Sequence, residues 1–172
     1  MLAEISCAKI DTKLPADQAC LLGCGISTGL GAVWNTAKVE AFSSVAVFGL
    51  GAVGMAVIQA AKAVGAHPIY GIDVNPKKFE LAKELGCDVC VNPKEITGGQ
   101  SLQSVLIGLS PTKFGFDHTF DCTGNTDVMR SALESAHRGW GHCTLIGVAA
   151  AGKEISTRPF QFISRINSIH PR

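Results

Sequence analysis

A short apolar run followed by three spaced glycines is the feature that most constrains how this chain can fold. The run Val45–Phe48 comes directly before Gly49, Gly51 and Gly54, which have a Gly-x-Gly-x-x-Gly spacing. Apolar residues then recur at helical spacing until Gly65, which can cap a helix. This order predicts a strand, a tight turn and a helix, in which the glycines let the backbone turn sharply and come close to a phosphate.

A second strand pattern ends in an acidic residue at the distance that dinucleotide sites use. Residues 68–72 form the pattern, and Asp73 follows it about 20 residues after the glycines. The Asp73 carboxylate can accept hydrogen bonds from adenosine ribose hydroxyls, whereas its charge repels a 2′-phosphate. A pyrophosphate would meet the amino end of the helix. The pattern therefore predicts a dinucleotide site that prefers NAD to NADP, and a glycine-rich turn without a ligand is the alternative.

Strand and helix patterns continue to alternate beyond Asp73, which is typical of a parallel sheet with helices on both faces. We expect further strands at 88–91, 116–121 and 142–148, and helices at 76–85, 102–109 and 127–136. Right-handed crossovers then give the strand order 3-2-1-4-5, with the ligand crevice beyond the carboxyl ends of the first and fourth strands. The sequence predicts an α/β fold of the Rossmann type, with a doubly wound parallel sheet.

Composition and charge fit a globular chain and give no sign of a nucleic-acid or membrane partner. The chain has 172 residues, of which 47% are hydrophobic, and a formal net charge of +1. Its lysines and arginines form no cluster, so we expect no binding to nucleic acid or to a membrane. Residues 41–61 carry no charge, but their serines, their glycines and a change of period favour a buried strand and helix over a membrane span. The start of the chain lacks the pattern of a signal peptide, so we expect no secretion.

The chain has seven cysteines, so disulfides and metal sites have to be considered. An odd number in a chain without a secretion signal favours reduced thiols. Cys87 and Cys90 have the spacing of metal ligands, but an offset of three in a strand points side chains to opposite faces, so we expect both in the core. Cys7, Cys122 and Cys143 are expected to be small buried hydrophobic residues as well. None of the five histidines has a carboxylate at a spacing that indicates catalysis.

Cys24 differs from the other cysteines because glycines flank it at the start of a helix expected to run toward Lys38. Glycines admit a bulky ligand such as Zn²⁺ close to the backbone, and the amides at a helix start can stabilise a thiolate. The residues alone leave two interpretations open, a zinc ligand and a packed cysteine in a glycine-rich helix. A single ligand does not define a metal site.

Seven segments carry a family resemblance: Leu21 to Gly25, Gly29 to Lys38, Val45 to Gly54, Gly71 to Asp73, Lys77 to Phe79, Val91 to Pro93 and Ile155 to Gln161. Together they resemble the zinc-dependent medium-chain alcohol dehydrogenases, and within them class III, the glutathione-dependent formaldehyde dehydrogenases. The resemblance covers most of the chain, from about Leu2 to Gln161. It implies an oxidoreductase that transfers a hydride from S-hydroxymethylglutathione, or from long-chain primary alcohols, to NAD, and that is cytoplasmic and dimeric.

The resemblance also implies roles for particular residues. Cys24 would be one of three protein ligands of the catalytic zinc, and Thr28 would pack near the nicotinamide. Asp73 and Lys78 would bind the adenosine ribose. The pyrophosphate of NAD would be held by the glycine loop, which consists of Gly49, Leu50, Gly51, Ala52, Val53 and Gly54. The rest of the implied cofactor site consists of Thr123 and of Ile146, Gly147 and Val148, whose backbone would face the carboxamide.

The family pattern contains parts that have no counterpart in this sequence. These are the N-terminal catalytic domain, the other ligands of the catalytic zinc and the lobe with the structural zinc, so we expect only one zinc ligand here. After Gln161 the family continues into a sixth strand that pairs across the dimer, whereas residues 162–172 diverge. We therefore expect a sheet without its sixth strand.

These observations divide the chain into a helical lead-in at 1–40 that carries Cys24, an NAD(P)-binding Rossmann domain at 41–161 and a divergent tail at 162–172. The resulting interpretation is the NAD-binding portion of a class III alcohol dehydrogenase, inactive without its catalytic domain. The alternatives are a non-catalytic module that binds a dinucleotide or a partner protein, and a methyltransferase-like nucleoside binder.

Overall fold

A five-stranded parallel sheet with helices on both faces makes up the fold, as a computed structural model that describes residues 3–159 and 161 shows. The strands are β1 (Val45–Phe48), β2 (Ile69–Ile72), β3 (Val89–Val91), β4 (His118–Asp121) and β5 (His142–Leu145). Their order in the sheet is β3-β2-β1-β4-β5, which confirms the predicted Rossmann-type topology. The tail at 162–172, where the family would continue into a sixth strand, lies outside the described residues.

Six α-helices are described: α1 (Ala16–Leu22), α2 (Gly25–Gly31), α3 (Ala52–Ala63), α4 (Phe79–Glu84), α5 (Leu102–Leu109) and α6 (Thr126–Ser135). Side chains cap several helical starts, because the first amides of a helix have no partner within it. Asn75 accepts a hydrogen bond from the amide of Lys77, Ser101 caps α5 and Asn125 caps α6. Asn75 stands directly before the helix expected at 76–85.

The register of the sheet brings four loops to one edge. Phe48, the last residue of β1, pairs with Ile72 of β2 and with Asp121 of β4, and Asp121 pairs with Leu145 of β5. Because all strands are parallel, the loops that follow β1, β2, β4 and β5 leave the sheet on the same side. This edge is where a ligand would bind in a fold of this type.

Apolar clusters lie on both faces of the sheet, and β1 contributes to each. Val45 and Val47 belong to the cluster that includes Val57 of α3, whereas Ala46 and Phe48 belong to the cluster that includes Leu106 of α5. All four residues of β1 are 0% exposed. The strand therefore lies at the centre of the fold, and its glycine loop starts from a rigid support.

Several element boundaries differ from the predictions, and three of the differences have the greatest effect on the site. The helix expected to run toward Lys38 ends as α2 at Gly31 and continues as a π-helical segment, Ala32–Thr36. The strand expected at 142–148 ends at Leu145, because the amides of Ile146 and Gly147 both donate to the carbonyl oxygen of Asp121. The strand expected at 116–121 begins only at His118. Hydrogen bonds to other elements, rather than local patterns, set the end of β5 and the place where β4 begins.

The cysteine predictions are correct in part. All seven cysteines are free thiols, Cys143 and Cys87 are buried and Cys122 and Cys90 are half-buried, but Cys7 is exposed and the expectation for it was wrong. The expected opposite orientation of Cys87 and Cys90 was also wrong, because β3 begins after Cys87, at Val89. Their sulfur atoms lie 3.8 Å apart.

Across residues 3–159 and 161, every helix is too short or too polar to cross a membrane. The uncharged segment 41–61 instead forms β1, the glycine loop and most of α3, as expected from its change of period.

Candidate functional site

The glycine loop between β1 and α3 has the geometry that the spacing predicts. Gly49 has a φ of +91°, which glycine adopts without strain, and its amide donates to the carbonyl oxygen of Ile72. A Cβ at Gly54 would overlap the carbonyl oxygen of Gly49, so this position allows close packing of α3 on the strand. A Cβ at Gly51, in contrast, would meet nothing within 4 Å. Gly51 therefore faces open space at the amino end of α3, where a phosphate can approach the backbone.

Asp73 at the end of β2 is bonded directly to this loop. Its Oδ2 atom accepts a hydrogen bond from the amide of Leu50 at 2.8 Å, and its Oδ1 atom accepts one from the amide of Asn75 at 2.8 Å. The ammonium group of Lys78 lies 2.9 Å from Oδ2. The two residues that the resemblance assigns to the ribose are thus in contact with each other and with the loop.

The charge state of Asp73 follows from these contacts. Burial favours the protonated form, since only 8% of the residue is exposed, but hydrogen bonds from Lys78, Leu50 and Asn75 and the charge of Lys78 outweigh it. The net effect lowers the pKa of Asp73 below its ordinary value. Asp73 is therefore ionised at neutral pH and can accept hydrogen bonds from hydroxyl groups.

A second acidic residue, which the sequence analysis missed, organises the loops after β4 and β5. Asp121 is 0% exposed, and its carboxylate accepts hydrogen bonds from the hydroxyl of Thr123 at 2.6 Å and from the amide of Gly124 at 3.3 Å. Burial raises the pKa of Asp121, although these hydrogen bonds oppose the shift. A Cβ at Gly147 would lie 2.6 Å from Oδ2 of Asp121, so the loop after β5 packs tightly onto this carboxylate.

Thr123 connects this turn to the glycine loop. A Cβ at Gly49 would lie 2.7 Å from Cγ2 of Thr123, so the loops after β1 and β4 touch at the point where the chain changes direction in the sheet. Val148 is 92% exposed. The structure thus brings the predicted residues Thr123 and Gly147 together at the expected crevice, with Val148 at its open end.

Cys24 and Thr28 lie on a groove beside the same edge. A cavity of about 450 Å³ is lined by both residues, by Ser27 and by Ile146 after β5. Cys24 precedes α2 and is exposed. A second cavity, of about 420 Å³ and mostly apolar, is lined by Gly51, Ala52, Lys78 and Leu81 among others. This second cavity therefore opens directly onto the glycine loop.

A zinc ion does not fit the donor set of the described residues. Residues 3–159 and 161 contain no group of three or more histidine, cysteine, aspartate or glutamate side chains that could hold a metal ion. Structural and catalytic zinc sites use three or four protein ligands, and Cys24 would be only one of them. The prediction that Cys24 is a zinc ligand therefore stays a prediction.

The sheet order, the glycine loop and the acid at the end of β2 define a nucleotide-binding protein of the Rossmann type. The family model described as "Zinc-binding dehydrogenase" matches residues 52–169. The chain belongs to this family of zinc-binding dehydrogenases, as the resemblance of its motifs indicated.

Individual relatives agree with this assignment. The chain is 58% identical over 164 residues to an S-(hydroxymethyl)glutathione dehydrogenase of Photobacterium damsela subsp. piscicida, with 95% of the chain and 43% of that protein covered. It is 59% identical over 163 residues to the class-3 alcohol dehydrogenase of Drosophila melanogaster, with 95% and 42% covered. The chain thus spans less than half the length of these relatives.

Solved structures support the fold. The benzyl alcohol dehydrogenase of Acinetobacter calcoaceticus superimposes with a TM-score of 0.83 at 28% identity, covering 94% of this chain and 42% of that one. A zinc-binding domain protein of the alcohol dehydrogenase type from Burkholderia ambifaria gives 0.82 at 30% identity, covering 93% and 41%. The predicted fold class is confirmed by these neighbours.

Proposed function

We propose that this chain is the NAD-binding portion of a class III alcohol dehydrogenase that oxidises S-hydroxymethylglutathione and long-chain primary alcohols, and so takes part in formaldehyde detoxification. The similarity to relatives named S-(hydroxymethyl)glutathione dehydrogenase and class-3 alcohol dehydrogenase supports the substrate class. We further propose that the chain alone does not catalyse the reaction, because the described residues contain no group that could hold the catalytic zinc.

The observation that carries the cofactor assignment is the hydrogen bond between Asp73 and the amide of Leu50. It places an ionised carboxylate at a fixed distance from the open backbone around Gly51. A dinucleotide fits this arrangement, because its pyrophosphate would meet the amino end of α3 while its ribose hydroxyls would meet the carboxylate. The negative charge of Asp73 favours NAD over NADP.

The roles proposed for the other site residues follow the family resemblance. In the proposed site, Thr28 packs against the nicotinamide, and the backbone of Ile146, Gly147 and Val148 faces its carboxamide. Lys78 holds Asp73 in position and binds the ribose with it. When bound, NAD supplies the acceptor for the hydride. Cys24 would contribute a thiolate to the zinc of the whole protein.

For the whole protein we propose a cytoplasmic homodimer. Seven free thiols, three of them exposed at Cys7, Cys20 and Cys24, are typical of a reducing compartment and support the location. The family resemblance supports the assembly, because in the family a sixth strand pairs across the dimer. Such a strand would lie beside β5, whose one partner among the described strands is β4. We propose neither nucleic acid nor a membrane as a partner, in keeping with the small net charge.

A titration of the 172-residue chain with NADH, followed by cofactor fluorescence, tests the proposal. We expect saturable binding of NADH that exceeds the binding of NADPH and of S-adenosylmethionine. Gly51→Ala should weaken NADH binding by about tenfold or more, since its new methyl group has no protein neighbour and occupies only the space next to the phosphates. Asp73→Asn should weaken NADH binding and reduce the preference over NADPH.

Gly108→Ala is the matched control, because a Cβ at this position in α5 also meets nothing within 4 Å but lies away from the nucleotide edge. It should leave NADH binding unchanged. Retention of S-adenosylmethionine in place of NADH would indicate a nucleoside-dependent methyltransferase instead. Equal binding of NADH by the wild-type chain and Gly51→Ala would contradict the proposed site.

A further inference from the structure

We propose that Cys87 and Cys90 form a reversible disulfide under oxidation by a peroxide, and that this bond loosens the nucleotide edge of the sheet. Their sulfur atoms lie 3.8 Å apart, which is close enough for one thiol to hydrogen-bond to the other. A disulfide needs a separation of about 2 Å, so a movement of roughly 2 Å closes the bond. Gly86 has a φ of +116° and precedes Cys87 in a turn outside the strand. The backbone of Cys87 therefore lies outside the sheet ladder, while its sulfur contacts the carbonyl oxygen of Ile69 in β2.

The surroundings of the pair suit a redox site better than a metal site. Within the described residues no third histidine, cysteine or carboxylate completes a metal-binding group. The other contacts of the two sulfur atoms are backbone carbonyl oxygens, namely those of Val89 and Ile69 for Cys87 and that of Phe79 for Cys90. Two adjacent thiols without a metal partner retain the chemistry of a dithiol.

Exposure decides which thiol reacts first. Cys90 is half-buried and Cys87 is buried, so a small peroxide reaches Cys90. Burial first of all, and then the neighbouring Cys90, raise the pKa of Cys87 well above its ordinary value, so Cys87 stays protonated at this stage.

The reaction then proceeds in two steps. The thiolate of Cys90 attacks one oxygen of hydrogen peroxide, the O–O bond breaks, and the products are a sulfenic acid and hydroxide. The Cys90 sulfur no longer carries a negative charge, which removes one obstacle to ionisation of Cys87. The Cys87 sulfur, losing its proton, attacks the sulfenic sulfur, and the S–S bond forms as water leaves. Two thiols are oxidised and one peroxide is reduced to two water molecules.

Two contacts link the pair to the site described above. Cys90 contacts the carbonyl oxygen of Phe79, the first residue of α4, and Lys78 directly before it binds Asp73 at 2.9 Å. On the other side, a Cβ at Gly71 would lie 3.0 Å from the sulfur of Cys87, so Cys87 packs against β2 shortly before Asp73. Closing the disulfide moves both sulfur atoms and disturbs both supports of Asp73. This consequence, unlike the disulfide itself, rests on the proposed function.

Peptide mass spectrometry tests the disulfide without any reference to NAD. The 172-residue chain is treated with hydrogen peroxide, alkylated while unfolded and digested with trypsin, which leaves Cys87 and Cys90 on one peptide of residues 84–94. We expect this peptide to lose two hydrogen atoms and to escape alkylation, and dithiothreitol should restore both thiols. Cys87→Ser should abolish the change, whereas Cys143→Ser, which removes a buried cysteine of β5, should not affect it. A peptide that stays fully alkylated while Cys24 becomes oxidised would overturn the proposal.

NADH binding of the same samples tests the consequence. Oxidation should weaken binding by the wild-type chain roughly fivefold or more, reversibly, and should leave binding by Cys87→Ser unchanged. A disulfide that forms without a change in affinity would contradict the link to Asp73. A reduced chain that binds no NADH would refute the proposed function, while the peptide result would still decide whether the disulfide forms.

Discussion

At the scale of single residues, His118 is held in an environment that disfavours its charged form. It is 8% exposed at the start of β4, and its Nδ1 atom has no hydrogen-bond partner among the described residues. Its ring stacks on His142 of β5 with centroids 5.5 Å apart. Burial, and then the charge of His142, lower the pKa of His118 to about 4, although Asp117 opposes the shift. His118 therefore stays neutral in the folded chain at mildly acidic pH.

This histidine makes the stability of the chain sensitive to acid. The unfolded chain binds a proton at His118 near pH 6.5, whereas the folded chain binds it only near pH 4, so the free energy of unfolding falls as the pH is lowered between these values. The loss from pH 7 to 4.5 amounts to about 2 kcal/mol for this group. His118→Phe should remove most of that loss in urea unfolding experiments at the two pH values. His67→Phe, at an exposed histidine, should retain it.

Local patterns were sufficient to predict the glycine loop with Gly49, Gly51 and Gly54, and also Asp73. These residues lie close after strand patterns that are visible in the sequence. Asp121 and His118 could not be found in this way. Their importance depends on burial in β4, which lies next to β1 only because the chain crosses over after β3. The only available signal was a polar residue inside an apolar strand pattern. Such a pattern does not reveal which neighbouring groups will form hydrogen bonds with the polar residue.

At the scale of elements, the contact between α2 and α3 depends on one glycine. A Cβ at Gly29 would lie 2.7 Å from the carbonyl oxygen of Val53 and 2.5 Å from the Cβ of Ala56. The helices can therefore pack this closely only while Gly29 lacks a side chain. Since α2 carries Thr28 and begins directly after Cys24, this contact also positions the groove beside the nucleotide edge.

Gly29→Ala should lower the free energy of unfolding by about 1 to 3 kcal/mol, because the added methyl group overpacks the helix contact. Gly31→Ala in the same helix is the control. Its Cβ would meet only the side-chain nitrogen of Asn35 at 3.8 Å, so the change should be neutral or stabilise the chain by up to about 1 kcal/mol. Thermal and urea unfolding of both variants provide the measurement, and equal stabilities would contradict the packing argument.

The existence and type of the strands and most helices followed from periodicity, but some of their ends did not. The helix at 102–109 was predicted with its observed bounds, since Ser101 caps it and its apolar stripe is local. The end of β5 at Leu145 depends on hydrogen bonds to Asp121 in another strand. After Gly31 the helix changes to a π-helical hydrogen-bond pattern, which apolar periodicity does not distinguish from an α-helix. The orientation of Cys87 relative to Cys90 was also predicted wrongly. Cys87 lies before β3, so the alternation of faces within that strand does not apply to it.

At the scale of the whole molecule, the two apolar clusters share one sheet and should unfold together. Trp34 reports on the face covered by α3, where its indole nitrogen donates to the carbonyl oxygen of Ala60. Trp140 reports on the amino ends of β4 and β5, where its indole nitrogen donates to Asp117 at 2.7 Å. Because β1 is buried and contributes side chains to both clusters, we expect neither cluster to remain stable when the other is lost.

Leu106→Ala, which truncates a side chain that is 0% exposed, should lower the free energy of unfolding by about 2 to 5 kcal/mol. Leu106→Ala is combined with Trp34→Phe or with Trp140→Phe, so that one tryptophan is left in each chain. Both chains should show the same decrease in the urea concentration at the midpoint of fluorescence-monitored unfolding. Leu109→Ala, at a 41% exposed position of the same helix, should cost much less. A shift seen by only one tryptophan would show that the two faces unfold independently.

The hydrogen bond from the Leu50 amide to Asp73 has a consequence for the kinetics of nucleotide capture. It joins the two halves of the nucleotide edge through atoms of the chain itself. The entropy of ordering the loop is therefore lost when the chain folds, and little of it remains to be lost on association. A receptor that is already ordered needs no slow rearrangement, so differences in affinity among nucleotides should arise in how long each one stays rather than in how fast it arrives.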